Sequence, residues 1–198
     1  MQKSSQKHLD LGCGDNPRNP YNKEYLFGID IRTTKQLNNA TFKQANLILE
    51  KIPFDDDFFG SISAFDFLEH IPRVFPTFDG KSTTFPFVNL MSEVWRVLIN
   101  KGRFYALTPA YPSIGAFQDP THVNFITEDT HKYFCDEFFL GNMYGFTGKF
   151  RLIRCEWVQS KYAYDASKKV NFIHKLQTFS KLKRGKICHL LWELEAVK

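Results

Sequence analysis

What this chain lacks narrows its class before any motif is read. No apolar run approaches the ~20 residues that span a bilayer. Met1-Gln2-Lys3-Ser4-Ser5-Gln6-Lys7 holds no apolar core of the kind a secretory signal needs. These absences lead to the expectation of a soluble, cytoplasmic protein. Cysteine is scarce, and the four present (Cys13, Cys135, Cys155 and Cys188) include no CxxC pair. That spacing suits neither a zinc site nor a disulfide framework, so reduced thiols are expected. The six histidines contain no HExxH arrangement. The acid run Asp55-Asp56-Asp57 lacks the spaced glycine and closing glutamate of a calcium loop. No metal is expected. With no repeat and no linker-like break, residues 1–198 read as one domain, long enough for a real core.

What is present is aromatic and unevenly charged. Phenylalanine occurs 21 times, which argues against disorder. The formal net charge of +5 hides a division: Arg151–Lys198 carries 11 Lys and Arg against 4 Asp and Glu, a net of +7. The preceding 150 residues carry 15 against 17, a net of −2. A basic end of this kind meets nucleic acid, phosphorylated glycans or an anionic membrane surface, or is simply a solvated face.

The chain is organised around His8-Leu9-Asp10-Leu11-Gly12-Cys13-Gly14-Asp15-Asn16-Pro17. Apolar residues lead into an acid and two glycines, as where a buried strand enters a tight turn. Glycine allows positive φ there, and without a Cβ it lets backbone approach a ligand closely. Asn16 to Pro20 is too rich in proline for a long helix, leaving only Tyr21 to Leu26 for a short one. Leu26-Phe27-Gly28-Ile29-Asp30-Ile31 reads as a second strand, with Asp30 16 residues past Gly14. That is near the ~20-residue spacing at which nucleotide-binding sheets place a carboxylate on ribose hydroxyls. The bland alternative is that Asp30 caps a turn.

Further strands are expected over Phe42–Leu47, Ser61–Phe65, Arg103–Pro109, Phe150–Val158 and His189–Val197. Phe87, Leu90, Met91, Val94 and Leu98 recur at helical spacing, with Asn100-Lys101-Gly102 as the expected C-terminal stop. Arg73 to Pro86, Ala110 to Ile126 and Gly141 to Gly148 read as loops. Thr127-Glu128-Asp129-Thr130 reads as the opening of a helix, its acids suiting the helix dipole.

The order of motifs resembles the class I S-adenosylmethionine-dependent methyltransferases, over most of the chain. Leu9-Asp10-Leu11-Gly12-Cys13-Gly14 is similar to the family's glycine-rich first motif, and Gly28-Ile29-Asp30-Ile31 to its acidic second. Ile52-Pro53-Phe54 through Leu68-Glu69-His70-Ile71 resembles its "LPF…D…LEHI" segment, and Glu93 to Gly102 its "E..RVLKPGG" junction. The resemblance implies an α/β, Rossmann-like methyltransferase fold: a seven-stranded, mostly parallel sheet whose last strand is antiparallel. It also implies a site for S-adenosyl-L-methionine. Asp10, Gly12, Cys13 and Gly14 would shape the pocket for its amino-acid end, and Asp30 with Ile31 would hold the ribose. Asn46 and Leu47 would flank adenine, and Phe65 with Asp66 would lie near the methionine portion. Asn16 stands where a third glycine is common, and Asn46 where aspartate is common. The helices after the first two strands are reduced, which implies a shallow site or one covered by another loop or a second subunit.

Methyl transfer from a sulfonium is an in-line displacement, so holding donor and acceptor together supplies most of the catalysis. A base is needed only for a poorly nucleophilic acceptor. The candidate bases are His70 and His122, with Asp119 or Asp66 to orient an imidazole; the bland reading makes both histidines structural hydrogen-bonders. Tyr111, Phe117 and Phe125 are read as aromatic walls for a sugar or planar ring, or as ordinary core. The expected acceptor is a small-molecule or glycan hydroxyl or amine. A nucleic-acid methyltransferase using the basic Lys161–Lys186 segment is the alternative, although no Asn/Asp-Pro-Pro-Tyr/Phe motif is present. A non-catalytic cofactor-binding protein is a further alternative. Pro17, where a dinucleotide fingerprint requires glycine, argues against a nicotinamide cofactor.

Overall fold

The computed structural model describes residues 2–33, 40–77, 79–135, 140–168, 177–178, 180–182, 185 and 189–198. Seven strands form one sheet: β1 (Lys7–Leu11), β2 (Tyr25–Asp30), β3 (Ala40–Gln44), β4 (Phe59–Phe65), β5 (Leu98–Pro109), β6 (Phe150–Val158) and β7 (His189–Ala196). Their order is β3-β2-β1-β4-β5-β7-β6. The first five pair in parallel, and β7 runs antiparallel to both β5 and β6. This is the Rossmann-like sheet expected from the sequence. Chain order moves outward from β1 to β3 and then returns to β4 on the other side of β1. The carboxyl ends of β1 and β4 therefore form the switch point at which ligands bind in such sheets.

Alternation along the strands divides the core into two faces. On β5, Phe104 and Ala106 join one buried cluster while Tyr105 and Leu107 join the other. On β7, Leu190, Trp192 and Leu194 face the first and Leu191 the second. The helix α1 (Pro86–Val97) covers the first face with Phe87, Leu90, Met91, Val94 and Val97. Residues 12–24, between β1 and β2, contain no helix. Aromatics cover β2 instead: the Phe27 ring meets Phe54, Phe58 and Phe59 edge-on at centroid distances of 5.5, 5.7 and 5.3 Å. Lys7 and Lys43 close this cluster from outside, over the Phe58 and Phe54 rings. Among the described residues no helix is long and apolar enough to cross a membrane.

Several local expectations are corrected. Tyr21 to Leu26 is not helical: Asn22 turns back with φ 50°, and Tyr25 already opens β2. The third strand ends at Gln44 rather than Leu47, because Ala45 turns its N–H onto the Asp30 carbonyl and Asn46 begins a turn. The helix stops at Val97, not at Asn100-Lys101-Gly102, since Leu98 is drawn into the sheet beside Phe59. Residues 99–102 bulge out of register, with Lys101 at φ 64°. A Cβ on Gly102 would lie 2.8 Å from the Ile99 carbonyl, so this glycine serves the bulge. Beyond Asp129 there is only a 3-10 segment, Thr130–Phe134, within the described residues, and residues 140–144 form another inside the expected loop.

Candidate functional site

Eight of the expected cofactor residues, Asp10, Gly12, Cys13, Gly14, Asp30, Ile31, Phe65 and Asp66, lie where β1, β2 and β4 end. The turn after β1 uses two left-handed glycines, Gly12 at φ 64° and Gly14 at φ 54°. The two have different reasons to be glycine. A Cβ on Gly12 would overlap the Phe67 ring, so Gly12 lets the turn pack on the loop after β4. A Cβ on Gly14 would meet only Arg32, at 3.2 Å, leaving bare backbone toward the crevice. Cys13 points the other way. Its sulfur lies where a Gly28 Cβ would stand, 2.6 Å away, and burial pushes its thiol up to about 12.

Asp30 ends β2 and closes the turn: its Oδ2 accepts from the Gly14 N–H at 2.9 Å. Its Oδ1 accepts from the Arg32 N–H at 2.9 Å and from Arg32 Nε at 3.1 Å. Burial alone would raise this carboxyl, but those donors outweigh it and hold Asp30 below the ordinary value. The Arg32 side chain is itself 72% exposed, so an incoming diol can take the Oδ1 position held by the guanidinium while the Arg32 N–H stays bound. Ile31 is exposed beside it.

Asp10 lies deeper. It is buried, with Oδ2 accepting from the Arg18 N–H at 2.7 Å and Oδ1 from Ser63 Oγ at 2.5 Å. Ser63 spends its proton on Asp10, so it accepts from His8 Nε2 at 2.8 Å, and His8 Nδ1 accepts from Ser61 Oγ at 2.8 Å. Burial raises Asp10 to about 7 and lowers His8 to about 3, keeping the imidazole neutral. Phe65 is buried beside this network, with the Arg18 guanidinium 4.7 Å from its ring centroid. Asn46 and Leu47 begin the loop after β3. Asn46 Oδ1 accepts from the Ile48 N–H at 3.1 Å, while the Leu47 side chain is in the core and has only backbone to offer a ligand.

The two candidate bases converge although 52 residues separate them in sequence. The His70 and His122 rings lie 4.9 Å apart, nearly perpendicular. Asp119 stands near this pair, 3.9 Å from His122 Nε2, and its carboxylate is held low first by the Thr121 hydroxyl and then by the Thr121 N–H. Asp66 is not an orienter for either ring. It leaves β4 with φ 50° and pairs instead with His189, whose Nε2 is 2.9 Å from Oδ1. His189 and Glu69 are the neighbours that reading the sequence for bases overlooks. Glu69 lies inside the LEHI motif itself, buried, with Oε2 accepting from the Thr108 hydroxyl at 2.9 Å. Burial raises its carboxyl to about 7. One ligand atom each from Glu69, His70 and His122 lies within 4.8 Å of the others. Sequence spacing hides this cluster because the loop after β5 delivers its third member.

The same loop lines a cavity of about 680 Å³. Tyr111, Phe117 and Phe125 form one side, with Phe117 stacked on Phe125 at 5.0 Å, and Arg73 and Tyr133 also contribute. All three loop aromatics are exposed rather than core. The basic Lys161–Lys186 segment falls partly outside the described residues. Within them, Lys161 rests over Tyr162, Lys168 reaches Asp165 at 3.7 Å, and Lys181 donates to Gln159 at 2.7 Å. Cys188 also lies outside the described residues.

No protein-family profile and no curated protein sequence matches the chain. Solved structures do. An S-adenosylmethionine-dependent methyltransferase from Mesorhizobium loti matches at a TM-score of 0.57 and 14% identity, over 96% of this chain and 90% of that one. Geranyl diphosphate C-methyltransferase from Streptomyces coelicolor A3(2), solved with Mg2+, geranyl diphosphate and S-adenosyl-L-homocysteine, matches at 0.54 and 12%, over 96% and 72%. The 4+2 cyclase SpnF matches at 0.52 and 14%, over 96% and 74%. The chain thus has the fold of the class I S-adenosylmethionine-dependent methyltransferases. The neighbours' different chemistries show that this fold alone names no reaction.

Proposed function

We propose that the chain is an S-adenosylmethionine-dependent methyltransferase acting on a small-molecule or glycan acceptor. The observation that carries this reading is the bare Gly14 backbone beside the Asp30 carboxylate at the sheet's switch point. The residues fit the cofactor: Asp30 Oδ2 has one donor, the Gly14 N–H, and displacing the exposed Arg32 guanidinium leaves Oδ1 with one, the Arg32 N–H, so each carboxylate oxygen then has one lone pair to offer a diol. When bound, S-adenosyl-L-methionine supplies an electrophilic methyl on a sulfonium. Gly12 and Gly14 bring backbone to its amino-acid end, and Asp30 holds the ribose. Phe65 and Arg18 wall the floor of the crevice.

The acceptor side is read from the cavity. Its aromatic walls suit a ring or other apolar body, with Arg73 as a cationic anchor. His122 shares with Tyr111, Phe117 and Phe125 the loop that lines it, and His70 lies against His122; both are groups to take a proton from an acceptor hydroxyl or amine. The test is transfer of radiolabelled methyl from S-adenosyl-L-methionine by the full chain into fractionated cell extract. Label in small-molecule or glycan fractions that His122→Ala no longer produces supports the reading. Label in RNA or DNA alone overturns the acceptor assignment, and label in no fraction overturns the activity.

A further inference from the structure

We infer that Glu69, His70 and His122 form a binding site for one divalent transition-metal ion, of the zinc, cobalt or manganese class. The first argument is an orphaned atom. Glu69 is 1% exposed, and its Oε1 has no hydrogen-bond partner among the described residues, while Oε2 takes the Thr108 hydroxyl. A buried carboxylate oxygen left without a donor is costly and calls for a partner. A cation seated against it supplies that partner.

The second argument is how the two imidazoles are held. His122 Nδ1 faces the Ala116 carbonyl at 3.3 Å, an acceptor only, so Nδ1 carries the proton and Nε2 keeps its lone pair. His70 Nδ1 faces the Thr121 carbonyl at 3.3 Å and Thr121 Oγ1 at 3.1 Å. That hydroxyl already donates to Asp119 at 2.7 Å, so it too can only accept from His70. Both rings are therefore set as Nδ1–H tautomers by outer partners, each with Nε2 available. Metal-ligating histidines are oriented in this way.

The third argument is the donor set and its spacing. Two imidazoles and one carboxylate, each giving one atom within 4.8 Å of the others, match the two-histidine, one-carboxylate set that binds divalent metals and leaves coordination positions open. Ligand bonds of about 2.0–2.2 Å require the imidazoles to draw inward. His122 lies on the loop after β5 and His70 ends the short 3-10 turn Leu68–His70, which allows it. Asp119 stands beside His122 as a ready outer neighbour, and Asp66 adds negative charge near Glu69. With both Nε2 lone pairs on the ion the imidazoles would serve as ligands in place of bases, and open positions would let the ion hold an acceptor oxygen as a Lewis acid. That role rests on the methyltransferase reading; the binding itself does not.

The test uses the full chain, stripped of metal by a chelator and dialysed, then titrated with cobalt(II) alone. One cobalt per chain should bind with visible ligand-field absorption, and zinc should displace it. His122→Ala and Glu69→Gln should each weaken binding by at least about tenfold while keeping the wild-type melting profile. Absence of stoichiometric cobalt binding by the folded wild type would overturn the inference. So would equal affinity in the variants, which would place the ion elsewhere. If Glu69→Gln fails to fold, the His70→Ala and His122→Ala titrations decide. Calorimetry with S-adenosylhomocysteine on the same sample reports separately on the methyltransferase reading.

Discussion

At the scale of single residues, the buried row Ser61, His8, Ser63 and Asp10 is the part of the site whose chemistry is most constrained. Its hydrogen bonds run in one direction only, from Ser61 through His8 and Ser63 to Asp10. Asp10 is raised from 3.8 to about 7 by burial, so the folded state holds its proton more tightly than the unfolded chain does. The resulting stabilisation is full below about pH 4 and is lost as pH rises through about 7. His8, lowered from 6.5 to about 3, acts oppositely and costs stability as pH falls through that window. Relative to wild type, Asp10→Asn should therefore be less favourable near pH 5 than near pH 8. Urea unfolding at the two pH values checks this, and a difference that does not change between them contradicts it. The glycine turn at Gly12 and Gly14 and the acid Asp30 that ends β2 were legible in the sequence, because strand, turn and acid follow one another locally. The cluster of Glu69 with His70 and His122 was not, since nothing local announces a partner 52 residues away. The pairing of Asp66 with His189 was hidden for the same reason, at a separation of 123 residues.

At the scale of elements, two junctions keep the switch point in shape. The first is the glycine turn. Gly12→Ala should lose about 1–2 kcal/mol for the left-handed backbone and a further ~1–3 kcal/mol for overlap with Phe67. Gly80, at φ 67° with nothing within 4 Å of a Cβ, should show only the backbone cost on change to Ala. Equal denaturation midpoints for the two variants would contradict the packing role of Gly12. The second junction links α1 to the loop before β4. Arg96 donates to the Ile52 and Phe54 carbonyls at 2.9 Å each and pairs with Glu93 at 2.7 Å, while Glu93 accepts from the Ile52 N–H at 3.0 Å. Two motifs read separately in the sequence, Ile52-Pro53-Phe54 and Glu93 to Arg96, are thus one clamp. The helix itself was legible from its apolar spacing. Its end was not, because Leu98 and Ile99 suit a helix face and a strand equally, and pairing with Phe59 decides between them.

At the scale of the whole molecule, a mostly parallel sheet with little helix after its first strands among the described residues still has both faces covered, because aromatic side chains do the covering. Phe27, Phe54, Phe58 and Phe59 shield β2, and Phe65, Tyr105 and Tyr21 fill the opposite face. The seven-stranded order and the antiparallel β7 followed from motifs spread along the chain, whereas the aromatic cavity depended on how one long loop folds back. The central claim is that the crevice beside Gly14 and Asp30 holds the sulfonium cofactor, and calorimetry of the full chain with S-adenosylhomocysteine tests it most directly. The account predicts one ligand per chain, with affinity reduced about tenfold or more in Asp30→Asn through the loss of charge-assisted hydrogen bonds. No binding to the folded wild type at millimolar ligand, or equal affinity in the two proteins, would contradict it.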